Sequence, residues 1–298
     1  MLPNLGRNAL SCLCNCYLTL NNFFKRKIAK NSLFVALTID TESDVDAKQN
    51  HIPEYRNIKK LKILISILKK HNITSTFFVT PDIVNNCNNM ISELYSKDFE
   101  IGTHIHPDLI GSFSQQLADL SYTVQKKLIR NATSLITKEF CKPTSFRAGR
   151  YSANQDTFKI LDELGYKIDS SVTPYTSWIK DGGQDWRNYS AYLTKFPSTD
   201  IIEVPITIFP FPIKNQWYRP TFSNSSLMNN IIEYYSSKSN TLFVANILIH
   251  SYELLESNPY NISPDILLKR LDKSIVFAKN LGAEFINLKQ VREFGDNL

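Results

Sequence analysis

The segment Asp98-Phe99-Glu100-Ile101-Gly102-Thr103-His104-Ile105-His106-Pro107 joins a short extended run to two histidines that are one residue apart. The run predicts a β-strand, and residues i and i+2 of a strand point to the same face. His104 and His106 would therefore project both imidazoles to one side at the end of that strand. Neutral imidazole is the commonest protein metal ligand, and two nitrogens leave room for an oxygen ligand and a water. The segment predicts a mononuclear metal site.

Strand-like and helix-like segments alternate on both sides of this segment. The apolar stretch at 32–39 predicts a buried strand, residues 55–71 have the apolar spacing of an amphipathic helix, and the alternation continues to the last predicted strand at 283–288. This pattern predicts an α/β protein with a parallel sheet, in its simplest form a β/α barrel. In such a barrel, the carboxyl ends of the strands share one face, where catalysis occurs.

Polar residues stand at those strand ends. The ones that we single out come at or just after the end of five separate predicted strands: Asp40, His104, Arg147, Asp169 and His250. Glu42 follows Asp40 by two residues. Amide hydrolysis requires an activated water, a base for its proton and an acid for the leaving amine, and a bound divalent ion with carboxylates and a histidine can supply them.

The chain is organised as one predicted domain with an extension. Residues 1–31 form an apolar and basic N-terminal segment that we expect to be helical, and residues 32–298 form the barrel, with a loop insertion at 174–200. Trp178 and Trp186 in this insertion could stack on sugar rings or fix the loop to the barrel. The N-terminal segment is too short to span a bilayer, so we expect it to pack on the domain, with weak association with a membrane surface as the alternative.

Composition narrows the class of protein. The formal net charge of the 298 residues is +6, and the basic residues are spread along the chain, so we expect no nucleic-acid partner. The five cysteines are an odd number, and three lie within 12–16. This spacing favours reduced thiols in a cytoplasmic protein, peripheral to the membrane at most, over a secreted disulfide framework. His51 and His71 fall on a predicted loop and a helix end, where we expect solvent exposure.

The motifs at the strand ends resemble those of the polysaccharide deacetylases, carbohydrate esterase family four. The matching pieces occur in the family's order: Thr38-Ile39-Asp40-Thr41-Glu42, Thr76-Phe77-Phe78-Val79, Ile101-Gly102-Thr103-His104-Ile105-His106-Pro107, Phe146-Arg147-Ala148-Gly149-Arg150-Tyr151, Asp169-Ser170-Ser171 and Leu248-Ile249-His250-Ser251. The resemblance implies a distorted (β/α)7 barrel. It also implies a divalent metal ion, usually zinc, and removal of acetyl groups from sugars.

The resemblance also implies a role for each residue. Asp40 matches the general base, and Arg147 matches the arginine that holds its carboxylate. His104 and His106 match the paired metal ligands. His250 matches the general acid, and Asp169 matches the acid that orients that histidine.

The sequence departs from the common family pattern in two places. Thr41 replaces the second of two adjacent aspartates, and the histidines are two residues apart rather than four. The chain looks most like a branch with Asp-x-Glu and His-x-His motifs. We expect Glu42 to bind the metal, and the alternative is that Asp40 is the ligand.

The sequence therefore predicts a metal-dependent deacetylase that acts on an N-acetylated amino sugar of a cell-surface glycan or its precursor. Two alternatives stay open. One is a deformylase or another hydrolase of non-peptide amides in small molecules. The other is a catalytically silent glycan-binding relative, because Thr41 and the shortened histidine spacing depart from the active pattern.

Overall fold

The computed structural model describes residues 13–19, 33–110, 116–237 and 242–297. A curled sheet of parallel strands forms its centre. In spatial order these strands are β10 (Val244–His250), β1 (Phe34–Thr41), β2 (Thr76–Val79), β3 (Glu100–Ile105), β4 (Ser145–Ala148), β5 (Ile168–Asp169) and β7 (Ile202–Glu203). The short strand β6 (Thr194–Lys195) runs antiparallel to β7, and β11 (Glu284–Ile286) pairs with the first residues of β1.

The two edges of the curled sheet approach each other at Asn246 of β10. Its backbone oxygen accepts from the Thr207 N–H at 3.2 Å, and its side-chain amide donates to Val204 O at 3.1 Å. These bonds connect the chain after β7 to the strand at the opposite edge. The seven parallel strands and this closure confirm the predicted distorted β/α barrel. A separate antiparallel hairpin, β8 (Ile208–Phe209) with β9 (Gln216–Trp217), lies beyond it.

Helices follow most of the strands. They are α1 (described at 13–19), α2 (Arg56–Lys70), α3 (Pro81–Asn86), α4 (Asn88–Tyr95), α5 (Pro107–Ile110), α6 (Tyr122–Glu139), α7 (Gln155–Leu164), α8 (Ser225–Ser236) and α9 (Pro264–Asn280). The face of α2 that carries Ile58, Leu61 and Leu68 is buried, as its apolar spacing predicts. Burial of each such side chain contributes roughly 1.5–3 kcal/mol to stability.

Helix α6 begins later than the apolar spacing indicates. The sequence predicts one helix over 114–140, but Leu120 and Ser121 have extended backbone and α6 starts at Tyr122. A 3-10 turn, Leu117–Asp119, precedes them, and residues 111–115 lie outside the described part of the chain. Helix α7, in contrast, coincides with its prediction, because Asn154 and Thr157 form a capping box at its start.

Part of the predicted N-terminal extension is described. Residues 13–19 are helical, and Cys14 and Leu18 are buried in the main apolar core. Asn230 of α8 donates to Asn15 Oδ1 at 2.8 Å, so this short helix packs on α8. The rest of 1–31 lies outside the described residues. Among the helices that are described, none is long and apolar enough to cross a membrane.

Candidate metal centre

The carboxyl ends of β1 and β3 hold the predicted ligands. Asp40 and Glu42 are two residues apart at the end of β1, as are His104 and His106 at the end of β3, so each pair points to one face. Strand β2 lies between β1 and β3 and ends at Val79. The four side chains can therefore meet above its end. All four residues are buried.

Glu42, His104 and His106 form a compact group of possible ligands. Glu42 Oε2 lies 3.0 Å from His106 Nε2 and 3.5 Å from His104 Nε2, and the two Nε2 atoms are 3.1 Å apart. Donor atoms bound to a tetrahedral zinc at 2.0–2.2 Å would be about 3.3–3.6 Å from one another. The observed separations are close to those values. Among the described residues, Glu42, His104 and His106 are the group of three possible ligands whose donor atoms converge.

The backbone fixes the tautomer of His104. Its Nδ1 lies 2.8 Å from the carbonyl oxygen of Arg147 on the neighbouring strand β4. A carbonyl oxygen only accepts hydrogen bonds, so Nδ1 carries the proton. In the neutral ring Nε2 is then an unprotonated nitrogen that faces Glu42 and His106. This is the arrangement of a metal-ligating histidine whose other nitrogen is held by a backbone carbonyl.

Two buried polar atoms at this group lack hydrogen-bond partners. They are Glu42 Oε2, which the three neighbouring imidazoles approach without hydrogen-bond geometry, and His106 Nδ1. Burying an unsatisfied polar atom is costly, and a cation between Glu42 and the two histidines would satisfy the carboxylate oxygen. Burial raises the pKa of Glu42, but the imidazoles of His51 and His106 lower it by more, so it lies well below its usual value. An ionised carboxylate with two imidazole nitrogens fits a divalent metal ion.

The backbone of Glu42 is fixed from two sides. Its N–H donates to Ser251 Oγ at 3.2 Å, and its carbonyl oxygen accepts from Asn57 Nδ2 at 2.8 Å. Ser251 directly follows His250 at the end of β10, and Asn57 is in the first turn of α2. The Glu42 side chain therefore extends from a backbone that is fixed by the end of β10 and the start of α2.

Asp40 lies beside this group and is paired with Arg147. Arg147 Nη1 donates to Asp40 Oδ1 at 2.6 Å, and the remaining guanidinium donors bind Thr38 and Ser170. Burial raises the pKa of Asp40, but Arg147 and His104 lower it by more, so the carboxyl is held ionised. The other oxygen, Oδ2, lies 3.9 Å from His104 Nε2 and 3.6 Å from His250 Nε2. One oxygen of Asp40 is thus fixed and the other faces the centre.

His250 stands on the opposite side of Asp40, at the end of β10. Its Nδ1 lies 3.1 Å from Glu253 Oε1 and 2.6 Å from Arg219 Nη2, and Arg219 also binds Glu253. Glu253 is fully buried, three residues after His250 on a 3-10 turn. Burial raises the pKa of Glu253, but Arg219 and His250 lower it below its usual value. Arg219 and Glu253 are therefore site residues that the sequence did not indicate.

Asp169 does not contact His250 as the resemblance implied. Its carboxylate accepts from the N–H and hydroxyl of Ser171 at 3.0 and 2.8 Å. Glu203, its register partner on β7, is its other neighbour. Burial and the adjacent Asp169 raise the pKa of Glu203 well above its usual value. The carboxylate at His250 Nδ1 is Glu253, because the turn after β10 brings it back to the ring.

His51 is buried at the centre, contrary to its predicted position on an exposed loop. We expected solvent exposure, but the side chain is 5% exposed and Nε2 lies 3.5 Å from Glu42 Oε2. Its ring contacts that of His106 edge-on, with 4.5 Å between centroids. His71 is also less exposed than expected, because its Nε2 lies 2.8 Å from Asp272 Oδ1. Neither residue belongs to the metal centre.

The centre opens into a cavity of about 980 Å³. Its floor includes Asp40, Glu42, His104, His106 and His250, and its wall is largely aromatic, with Tyr151, Trp178, Trp217, Phe222 and Tyr260. Trp178 contacts Tyr151 and Trp217 with ring centroids 5.2 and 6.1 Å apart. Trp186, the other tryptophan of the insertion, is buried and donates to Tyr151 O at 3.0 Å. The insertion thus contributes to the wall through Trp178 and is anchored through Trp186.

Residues 31–168 match the family model described as polysaccharide deacetylase. This stretch runs from β1 into β5 and contains Asp40, Glu42, His104, His106 and Arg147. The family resemblance that the motifs indicated is therefore confirmed over this stretch of the chain. No curated protein matches the chain significantly.

Solved structures share the fold. A peptidoglycan N-acetylglucosamine deacetylase is 16% identical, with 88% of this chain and 89% of that chain covered and a TM-score of 0.51. A pseudoenzyme of carbohydrate esterase family four from Bacillus anthracis is 15% identical over 89% of this chain and 66% of its own, with a TM-score of 0.51. An allantoinase is 11% identical over 88% and 89%, with a TM-score of 0.61. At these identities the likeness shows the fold alone.

Proposed function

We propose that this relative of the polysaccharide deacetylases is a metal-dependent hydrolase that removes N-acetyl groups from an amino sugar of a cell-surface glycan or its precursor. The observation that carries the proposal is the convergence of Glu42, His104 and His106, with an ionised carboxylate oxygen that lacks a hydrogen-bond partner. Two imidazoles, one carboxylate and a free position are the donor set of a catalytic zinc site, so we propose zinc as the ion.

Glu42 is the proposed carboxylate ligand. Its Oε2 is nearer to both histidine nitrogens than Asp40 Oδ2 is to His104, and Asp40 Oδ1 is engaged by Arg147. This supports the assignment of Glu42 to the metal and leaves Asp40 as the base. Bound there, a divalent ion would lower the pKa of its water to about 7 and polarise the substrate carbonyl.

Asp40 would accept the proton of the attacking water on Oδ2, the oxygen that faces the centre. Arg147 keeps that carboxyl ionised and fixes its orientation, because it binds the other oxygen. The backbone amides of Arg150 and Tyr151 are the proposed donors to the oxyanion. Both residues have left-handed backbone, with φ of 51° and 55° beside the cavity. Such strain persists where the surrounding structure requires it, often at a functional site.

His250 would protonate the leaving amine of the sugar. Its Nε2 faces Asp40 and Glu42, and Nδ1 faces Glu253. When the ring carries both protons, Glu253 accepts from Nδ1–H and balances the positive charge. When Nε2 gives its proton to the amine, the neutral ring keeps Nδ1–H on Glu253, and Arg219 holds the Glu253 carboxylate. Glu253 and Arg219 are therefore positioning residues.

The test combines metal analysis with product release. Purified protein loaded with zinc is expected to release acetate from N-acetylated amino sugars and their oligomers, and chelation should remove the activity. Asp40→Asn should keep the metal and lose turnover by a factor of about 10²–10⁴, the usual contribution of a general base. His104→Ala and His106→Ala should lose the metal itself.

Three outcomes would contradict the proposal. Formate release, or opening of a cyclic amide in the absence of acetate release, would assign the site to small-molecule amides. Metal retention in both histidine variants would remove the ligand assignment. Loss of the ion in Asp40→Asn would make Asp40 the ligand rather than the base.

A further inference from the structure

The loop between β1 and α2 carries His51 into the metal centre on a rigid support. Residues Val45 and His51 form an antiparallel bridge, and Asp44 exchanges backbone hydrogen bonds with Ile52 and Glu54 at 2.8–2.9 Å. The Asp44 carboxylate accepts from Arg56 Nε at 2.7 Å. The loop is thereby tied to the start of α2, and it holds the His51 side chain out of solvent.

A buried hydroxyl group lies beside one nitrogen of the His51 ring. Nδ1 lies 3.3 Å from the hydroxyl oxygen of Ser43, a residue that is 1% exposed. If that hydroxyl donates to Nδ1, the neutral ring carries its proton on Nε2. That nitrogen lies 3.5 Å from Glu42 Oε2. In this tautomer a donor faces the carboxylate ligand.

We propose that His51 is a positioning residue of the metal centre, which supports Glu42 with Nε2, 3.5 Å from the carboxylate oxygen, and His106 through edge-on ring contact. Three imidazole nitrogens surround Glu42 Oε2 within 3.5 Å. Two of them, in His104 and His106, belong to the converging group of ligands, whereas His51 lies outside that group. An ion can take one lone pair of Oε2 and the His51 N–H the other.

The contact with His106 supports the same role. The two rings are inclined by 67° with their centroids 4.5 Å apart, so His51 packs against the ring that lies nearest to Glu42. A Cβ built on Gly149 would also come within 2.6 Å of the His106 ring. His106 thus packs closely against both His51 and Gly149. Outer partners of metal ligands typically contribute 10–100-fold to metal affinity.

This inference rests on the proposed metal centre, and zinc affinity tests it without reference to turnover. The dissociation constant would be measured by competition with a chelator for the unmodified protein, His51→Leu and His51→Gln. Leucine keeps apolar packing but removes the donor, whereas glutamine places an amide N–H near the position of Nε2. We expect His51→Leu to weaken zinc binding by about 10–100-fold and His51→Gln to recover most of that loss. His71→Leu, which removes the partly buried contact between His71 and Asp272, is the matched control and should leave the zinc affinity unchanged.

The visible spectrum of the cobalt-substituted protein separates positioning from ligation. The spectrum of His51→Leu should keep the band positions and intensity of the unmodified protein, because the ligand set is unchanged. A spectrum that reports the loss of one nitrogen ligand would make His51 a ligand and overturn the inference. Equal zinc affinity in His51→Leu and the unmodified protein would also overturn it.

A second variant keeps the test decisive if His51→Leu does not fold. Ser43→Ala removes the hydroxyl that orients the His51 ring while His51 remains, and it should weaken zinc binding in the same direction by a smaller factor. If Ser43→Ala binds zinc as tightly as the unmodified protein, the inference is overturned. Failure of the unmodified protein to bind zinc would instead defeat the proposed function, so the two failures are distinguishable.

Discussion

His104 Nδ1 donates to the carbonyl oxygen of Arg147 at 2.8 Å, across the ladder between β3 and β4. The same arginine binds Asp40 with its guanidinium at 2.6 Å. One residue thus sets the tautomer of a proposed metal ligand with its backbone and the charge of the proposed base with its side chain. The consequences of this arrangement can be separated by mutation.

Replacement of Arg147 by methionine should strongly destabilise the protein. The side chain is fully buried, so its removal leaves the Asp40 carboxylate without a counter-charge. Loss of one partner of a buried ion pair costs about 3–5 kcal/mol. Urea denaturation of Arg147→Met should show this loss, and the double variant Arg147→Met with Asp40→Asn should recover part of it. A single variant as stable as the parent would contradict the role of the pair.

Gly149 should tolerate no side chain. A Cβ at this position would lie 2.6 Å from three atoms of the His106 ring, and that ring has little room to move. Gly149→Ala should therefore displace His106 and weaken zinc binding by at least about 10-fold, as loss of a supporting partner does. Chelator competition measures the affinity. Gly282→Ala is the control: its φ of 83° strains an alanine, but nothing lies within 4 Å of the added Cβ, so stability should fall while zinc affinity stays unchanged.

Glu253 and Asp169 should differ in their effect on turnover. Glu253 lies at His250 Nδ1, whereas Asp169 contacts Ser171 and Glu203. Glu253→Gln should lower kcat by about 10- to 100-fold, part of the contribution of a general acid, with little change in KM or zinc content. Asp169→Asn should affect stability more than kcat. The reverse order of effects on kcat would restore the assignment drawn from the family resemblance.

Glu203 should make stability fall as the pH rises. Its pKa is raised in the folded protein, so the folded state holds a proton that the unfolded chain releases near pH 4.5. The stabilising contribution is complete below that pH and declines as the pH rises towards the raised pKa. Glu203→Gln cannot ionise and keeps an acceptor for the Val172 N–H, which now binds Glu203 Oε1 at 3.0 Å.

Thermal unfolding from pH 4 to pH 8 measures this effect. The melting temperature of Glu203→Gln should match or fall slightly below that of the parent near pH 4 and exceed it at pH 8. A constant difference across this range would show that Glu203 has the same pKa in both states.

Most of the fold could be predicted from the sequence because each strand is a short apolar run that ends at a polar residue. The period of two in Asp40-Thr41-Glu42 and His104-Ile105-His106 placed four side chains on one face, and the structure brings them together. Helix bounds were less predictable where the apolar spacing continues past an extended residue, as at Ser121 before α6.

The missed residues have positions that depend on folding back from elsewhere. Arg219 reaches His250 from a loop after β9, and nothing in its local sequence indicates that contact. His51 is buried because the loop at 44–54 folds on itself through backbone hydrogen bonds that leave no apolar pattern. Glu253 could have been found, because a residue three positions after His250 on a tight turn returns to the same side.

The site residues on β1 and β3 are two positions apart on each strand. The centre therefore depends on which face of the strand each residue points to, more than on the distance between the strands. A one-residue insertion within 40–42 or 104–106 would turn a ligand to the outer face of the sheet, where no neighbouring substitution could return it. Chimeras with relatives should therefore be joined outside these two triplets. Shuffled libraries that respect those boundaries would keep the donor set intact while exchanging the loops that face the substrate.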